Sequence, residues 1–424
     1  MSSREFSRVL GPEEALFTEL ARRTCGGTLL VSFYKVLIPL SVEQLKTAFS
    51  LIHKIYPLLQ ARVESGEQLR WYCDVPFDDI PLEIRELSTP INIEYEYTRR
   101  GKTGLNVEAC TYTLSFYLNS LGKVDYISMV SNHAALDGRS AGIIFYILDL
   151  YFLDQGRFRL DRQPLYDPVE TYFDSSKHFS NQQTSGIKEN LFKWPVEEAA
   201  FVTEREGHIL YRKFPMEELS HVAAIGRKHK VRPSALFCAI AIQASNILPN
   251  HREWIKILLP MDVRDLCGTG IELSVIGTFS AVTTLEVTPD IDIENTWELA
   301  KHLQIELDRQ AVSGEYCKFN FHKNYDLGNI IEWVEKYETN NPYFLEGLCV
   351  SNLGNLESLG VHMNFFEPII GTSLQTHGAH PISLSTYSTE KSSVFVFSYC
   401  DPLTKRNNAL NFAEKYINTL KNLI

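Results

Sequence analysis

The sequence has no paired cysteines in the spacing that redox or zinc sites need. Its eight cysteines (25, 73, 110, 238, 267, 317, 349 and 400) are scattered, and none belongs to a C-x-x-C. That excludes a thioredoxin-like motif and a cysteine-based zinc site. In a chain of this length they describe reduced, mostly buried thiols of a reducing compartment. An excess of positive charge is also missing: 41 Lys and Arg stand against 52 Asp and Glu, a net charge of -11. Such a chain does not bind polyanions generically, and no nucleic-acid partner is expected. Long hydrophobic runs are absent too. The longest, AGIIFYILDLYFL (141–153), is too short to span a bilayer and carries Asp149, so it is a core helix and no membrane insertion is expected. The first residues, MSSREFSRVLGPEEALF, carry charges throughout and show no apolar signal core, so the expected location is cytoplasmic.

What is present is globular. Of 424 residues, 44% are hydrophobic and 22% charged, with 24 Phe and 20 Tyr, which suffices for a large core. GTLLVSFYKVLIPL (27–40) predicts a strand. Ser41 and Gln44 form a capping-box pattern, and Val42, Leu45, Phe49, Ile52, Tyr56 and Leu59 follow at helical spacing. CTYTLSFYL (110–118) and VDYISMVS (124–131) predict a hairpin around Asn119–Gly122, with the 141–153 helix behind it. The polar, aperiodic stretch 174–200 predicts a crossover, dividing the chain into 1–175 and 176–424. Beyond it, helices are expected at 216–229, 233–246 and 295–311, and strands at 253–263, 273–287 and 346–352. A hairpin over 383–400 and a terminal helix complete the pattern. Without strict βαβ alternation, this is an α+β fold.

One short stretch, VSNHAALDGRSAG (130–142), carries two overlapping signatures. From His133 it is H-x-x-x-D-G. From Gly138 it is G-x-S-x-G, the nucleophile elbow that would make Ser140 a hydrolase nucleophile. The plain structural alternative is a strand-to-helix loop, with Asp137 capping the helix and Gly138 easing the turn. An elbow needs a strand running straight into the glycine. Here the strand pattern ends at Ser131, and no HGGG-like oxyanion segment precedes it, so Ser140 is expected in the first helical turn.

The first signature has company along the chain. RVLGPEEALF, HKIYPLLQARV, SNHAALDG, LLPMDVRDL, SVIGTFSAV and LCVSNLGNLE occur in an order that resembles the CoA-dependent acyltransferase superfamily over nearly the full length. That superfamily includes condensation domains, polyketide-associated and alcohol acyltransferases, and plant and fungal BAHD enzymes. The H-x-x-x-D-G and S-N-x-G pieces are the specific ones. Two departures stand out: Asn132–His133 replaces the paired histidines usual in condensation domains, and the D-F-G-W-G of plant BAHD enzymes is absent.

The resemblance implies two similar chloramphenicol-acetyltransferase-like halves around a central tunnel. It also implies acyl transfer from an acyl-CoA or acyl-carrier-protein phosphopantetheine thioester to a small-molecule alcohol acceptor of secondary metabolism, with amine acylation as the variant; a catalytically silent binding domain is the alternative, against which the intact His133, Asp137 and Gly138 stand. No bound cofactor or metal, and no acyl-enzyme, is expected. His133 would be the general base, since imidazole titrates near the operating pH. Asp137 would pair with Arg264 in MDVRD, away from the substrate. Gly138 would allow close approach, and Asn352 in SNLG would line the reaction centre or donate to the oxyanion, unless it is only a turn former before Gly354. Ser385–Thr386 resembles the Ser-Thr-Ser strand of carnitine acyltransferases, though both are ordinary strand residues. Arg227, Lys228, Lys230 and Arg232, the densest cationic run, are candidates for the donor's phosphates or simply a helix C-terminus. His377 and His380 lack a third metal ligand in register and are expected to be loop histidines.

Overall fold

The β-branched and aromatic run after residue 27 is extended from Leu30 to Leu40, and its side chains alternate between two packing partners. In chain order, the computed structural model begins β1 (Ser7–Val9), α1 (Pro12–Arg23), β2 (Leu30–Leu40), α2 (Val42–Ile55), β3 (Ala61–Glu64) and β4 (Arg70–Cys73). It continues β5 (Leu82–Glu86), α3 (Ile93–Thr103), β6 (Tyr112–Leu118), β7 (Val124–Ser131) and α4 (Gly138–Leu153). Next come β8 (Glu206–Pro215), α5 (Met216–Lys228), α6 (Pro233–Ala244), β9 (Ile255–Asp262), β10 (Ser280–Val287) and α7 (Thr296–Ser313). The chain closes with α8 (Leu327–Glu338), β11 (Leu348–Asn355), β12 (Phe366–Ser373), β13 (Ser383–Ser388), β14 (Ser392–Asp401) and α9 (Arg406–Lys421). The structure describes residues 6–173, 190–246, 253–268, 271–272, 274–315, 319–322, 324–356 and 363–424. Most of the expected crossover, 174–189, lies outside them, as does Cys317.

Two mixed sheets form the body, one ordered β12-β2-β7-β6-β5 and the other β10-β9-β11-β13-β14-β8. In β2, Tyr34 and Val36 join the core under α2 and α4, where the Tyr34 ring stacks on Phe145 at 3.5 Å between centroids. Val31 and Phe33 point the other way, into a cluster shared with Val394 and Val396 of β14. The alternate β14 residues Phe395, Phe397 and Tyr399 pack in the core that includes α6 and α9. The period-two pattern of these two strands thus builds two outer cores and one shared seam. β12 comes from beyond residue 175, yet it pairs antiparallel with β2 in the first sheet, Gly371 opposite Ser32. Asp149, the polar residue inside the apolar run, anchors the approach to that strand by accepting from the Phe365 N–H at 2.6 Å and from Asn364 Nδ2.

The expected elements differ from the structure at two instructive places. α2 ends at Ile55, so Tyr56 and Leu59 leave its face; Pro57 follows and removes the helical conformation from the residue before it. The strand expected from 273 begins only at Ser280, because Gly277 adopts a φ of +155° and the segment before the strand bends to meet Asp137. The Ser41–Gln44 capping box is present in both directions.

Candidate active site

α4 starts where the hydrophobic strand β7 gives way to a polar loop. Asp137 is its N-cap, accepting from the Ser140 N–H at 2.8 Å. The same carboxylate is held from behind. Arg264, 1% exposed, reaches it with both terminal nitrogens, Nη1 to Oδ2 at 2.9 Å and Nη2 to Oδ1 at 3.1 Å. The Phe279 N–H donates to Oδ2 at 3.0 Å. Arg264 also donates to the Val275 carbonyl and to Asp262, and its guanidinium lies over the Phe279 ring. Burial acts to raise the Asp137 pKa, but the charge and hydrogen bonds of Arg264 outweigh it and hold the carboxyl below its ordinary value. The helix-cap and ion-pair readings of Asp137 therefore describe one residue doing both.

Ser140 belongs to this brace. Its side chain is fully buried; the hydroxyl donates toward Asp137 Oδ1 at 2.8 Å or the Gly277 carbonyl at 2.9 Å, and accepts from Arg264 Nη2 and the Gly277 N–H, each at 3.0 Å. Among the described residues no histidine is its partner, and it does not line the cavity described next.

His133 faces a cavity of about 380 Å³ between the two sheets. Its walls include His133 and Asp137 from the β7–α4 connection, Gly138 at the start of α4, Asn352 from β11, and residues of β9, β10, β12 and β13. The Phe17 ring of α1 stacks on the imidazole at 4.4 Å between centroids, and Thr278 Oγ1 donates to the His133 carbonyl. Nδ1 is buried and has no partner on another residue among those described. Burial lowers the His133 pKa, against the opposing pull of Asp137 and of its own carbonyl, so the ring is neutral at pH 7.

Gly138 has a specific reason to lack a side chain. A Cβ there would lie 3.3 Å from both Cδ atoms of Leu353. Leu353 is the third residue of SNLG, so the two specific motifs touch. β11 loses register with β13 between Asn352 and Asn355, and Gly354 takes φ +72°. The Asn352 carboxamide accepts from the Gly354 N–H at 3.0 Å and donates to Ser234 Oγ at 3.1 Å, so it forms the turn and lines the cavity at once.

The cationic run sits apart. Arg227, Lys228, Lys230 and Arg232 are exposed at the α5–α6 junction and line no part of the cavity. Arg232 pairs with Asp308. The link to the site is indirect, through Ser234 in the first turn of α6. Ser385 does line the cavity, its hydroxyl 2.9 Å from Thr372 Oγ1, whereas Thr386 is buried in the sheet. Among the described residues no group of three His, Cys, Asp or Glu side chains could hold a metal, and no helix is long and apolar enough to cross a membrane. Seven of the cysteines are free thiols.

Several wall residues carried no motif: Phe17, Arg139 with its ion-pair partner Asp262, and Gln375. Phe17 stood within the RVLGPEEALF match, and Asp262 within LLPMDVRDL, so order alone flagged their neighbourhoods. His377 and His380, expected as ordinary loop residues, also reach the cavity.

No family model matches the sequence, and neither does any curated protein. Solved structures do. The first condensation domain of the CDA synthetase matches at a TM-score of 0.70 and 13% identity, over 98% of this chain and 96% of that one. The epimerization domain from the third module of tyrocidine synthetase B matches at 0.68 and 13%, over 99% and 97%. TRI3 trichothecene 15-O-acetyltransferase from Fusarium sporotrichioides matches at 0.68 and 11%, over 98% and 95%. The chain therefore shares the α+β fold of these condensation, epimerization and O-acetyltransferase structures.

Proposed function

We propose that this protein transfers an acyl group from a CoA or carrier-protein phosphopantetheine thioester to a hydroxyl of a small metabolite. The carrying observation is the neutral, ring-stacked His133 at the wall of a cavity shared by both lobes. With Nδ1 buried, Nε2 is the nitrogen left for an acceptor. The acceptor oxygen attacks the thioester carbonyl carbon as its proton passes to Nε2. The tetrahedral oxyanion then collapses, the C–S bond breaks, and the thiol leaves with the proton returned by His133. No protein nucleophile enters, which suits a buried and fully engaged Ser140. Asn352 retains one Nδ2 hydrogen beyond its bond to Ser234 and is assigned as oxyanion donor.

Asp137 and Arg264 are positioning residues. They tie the catalytic loop to the β9–β10 connection, so His133 is held by both sheets. Arg227, Lys228 and Lys230, which make no ion pair among the described residues, are assigned to the donor's phosphates at the outer end of α6. The test is to incubate the protein with a panel of acyl-CoAs, with and without alcohols and amines, and measure free thiol. Alcohol-dependent thiol release supports the reading. Release that needs an amine moves it to N-acylation, and no acceptor-dependent release with any donor overturns it.

A further inference from the structure

The segment between β12 and β13 brings two imidazoles to the cavity wall with opposite hydrogen-bonding character. His377, 6% exposed, accepts from the Ala379 N–H at Nδ1, 2.9 Å away. That bond requires Nδ1 to be unprotonated, so the neutral ring carries its hydrogen on Nε2. His380 does the reverse. Its Nδ1 lies 2.7 Å from the Gly347 carbonyl, which can only accept, so Nδ1 holds the hydrogen and Nε2 presents a lone pair. The two rings are 6.0 Å apart between centroids and nearly perpendicular. Neither Nε2 has a hydrogen-bond partner among the described residues. One edge therefore donates and the other accepts.

Both rings are uncharged near neutral pH. Burial lowers each pKa, to about 3 for His377, where His380 and the buried Arg205 add to the effect. The Gly347 carbonyl and Glu346 pull the other way on His380, and Lys256 pairs with Glu346 behind it. Arg205 spends its guanidinium on the carbonyls of Ala200, Tyr337, Thr339 and His377. Its positive charge behind His377 disfavours a cation in front, and a single free N–H is too little for an anion. Gln375 adds an acceptor beside them: it is 2% exposed, lines the same cavity, donates to Ser373, and leaves Oε1 without a partner. An uncharged group that both donates and accepts fits this chemistry, and a hydroxyl is the smallest.

We propose that His377 and His380 form an uncharged subsite that binds a second hydroxyl of the acceptor, distinct from the one His133 activates. The inference rests on the acyl-transfer reading for its reaction but not for its binding. It makes the acceptor a diol or polyol rather than a simple alcohol. The ligand hydroxyl donates to His380 Nε2 and accepts from His377 Nε2–H. A mono-alcohol leaves both edges to water or unpaired, and a site built to pair a hydroxyl discriminates against the analogue that lacks it.

The experiment compares straight-chain α,ω-diols of increasing length with matched mono-alcohols. It measures thiol release from each of a panel of acyl-CoAs on the wild type and equilibrium binding on wild type and His133→Ala. At one chain length the diol is expected to exceed its mono-alcohol in kcat/KM and in affinity by roughly tenfold or more. His380→Phe should erase that ratio, with a retained unfolding transition showing that the variant folds. His377→Phe, or Gln375→Leu should His377 prove needed for folding, provides a second reading of the ratio. The ¹⁵N shift of His380 Nε2 should move on diol binding, a signature that a purely structural imidazole would not give. Equal diol and mono-alcohol affinity at every length, or a ratio unmoved by His380→Phe, overturns the subsite. Diol-selective binding without any transfer upholds the subsite and overturns the acyl-transfer reading instead.

Discussion

The Phe17 ring lies against the His133 imidazole, 25° from parallel and 4.4 Å between centroids. Phe17 sits on α1 and His133 on the connection between β7 and α4, so a helix remote in sequence sets the plane of the base. An aromatic pair of this kind contributes about 0.5–1.5 kcal/mol beyond burial. Phe17→Ala is expected to lower kcat by roughly three- to tenfold with a smaller change in KM, because ring orientation matters most in the transition state. Steady-state kinetics check it; unchanged kcat would show the stacking to be incidental.

His133→Ala should lower transfer by about 10²–10⁴-fold while the unfolding temperature stays near that of the wild type. The wild-type rate should be flat at neutral pH and fall on acidification, since only neutral imidazole accepts a proton. Burial lowers the pKa, so the acid limb should lie below the ordinary imidazole value of ~6.5. A limb above that value contradicts the assignment.

Removing either partner of the Asp137–Arg264 pair leaves a buried, unpaired charge. Asp137→Ala and Arg264→Ala should each cost about 3 kcal/mol of stability, and the double variant less than the sum. Additive losses in denaturant titrations would show no coupling. Ser140→Ala deprives Arg264 and the Gly277 N–H of a partner and should cost ~1–3 kcal/mol, yet its kcat should remain substantial and the wild type should not label with a fluorophosphonate. A labelled Ser140 would restore the hydrolase reading.

The charge reversal Lys228→Glu with Lys230→Glu should raise the donor KM about tenfold at low ionic strength, with kcat little changed. The effect should shrink at high salt, where the Debye length falls to ~3 Å at 1 M. A donor KM indifferent to both charge and salt would reduce the run to a helix terminus.

Two buried carboxyls predict an unusual pH dependence of stability. Burial pushes Glu13 to about 7 and, with Glu13's charge adding, Glu170 to about 8. A carboxyl whose folded pKa is raised holds its proton longer in the folded state. Its favourable contribution is complete below the unfolded value near 4.5 and is lost as pH rises through about 7–8. Glu170→Gln keeps an oxygen for the Glu13 N–H and removes the charge. It should stabilise the protein by about 1–3 kcal/mol at pH 8 and make little difference at pH 4, where the unfolded carboxyl is largely protonated as well. Unfolding temperatures across that range decide it.

Periodicity made the hairpin, the principal helices and the H-x-x-x-D-G loop legible, because each is a local pattern with its own capping or alternation signal. Asp137–Arg264 was legible only through resemblance, since nothing local links a helix cap to an arginine in a later loop. Phe17 escaped because a lone aromatic on an amphipathic helix looks like core. β12 escaped for a similar reason: FEPIIGTS has a strand composition interrupted by Pro368 and Gly371, and its partner β2 lies far away in sequence. His377 and His380 were visible as residues, but their tautomers are set by Ala379 and Gly347, which only the folded chain brings to them.

The borrowed strand β12 also sets a timetable. On a translating ribosome β7 is complete at Ser131, but the partner of β2 begins only at Phe366. At ~5–20 residues per second, roughly 10–50 s pass before it emerges. Throughout that interval the nascent first sheet presents β2 as an open edge, the kind of template that recruits other chains. Synthesis speed and chaperone supply, more than the stability of the finished protein, should therefore govern how much of it is recovered folded.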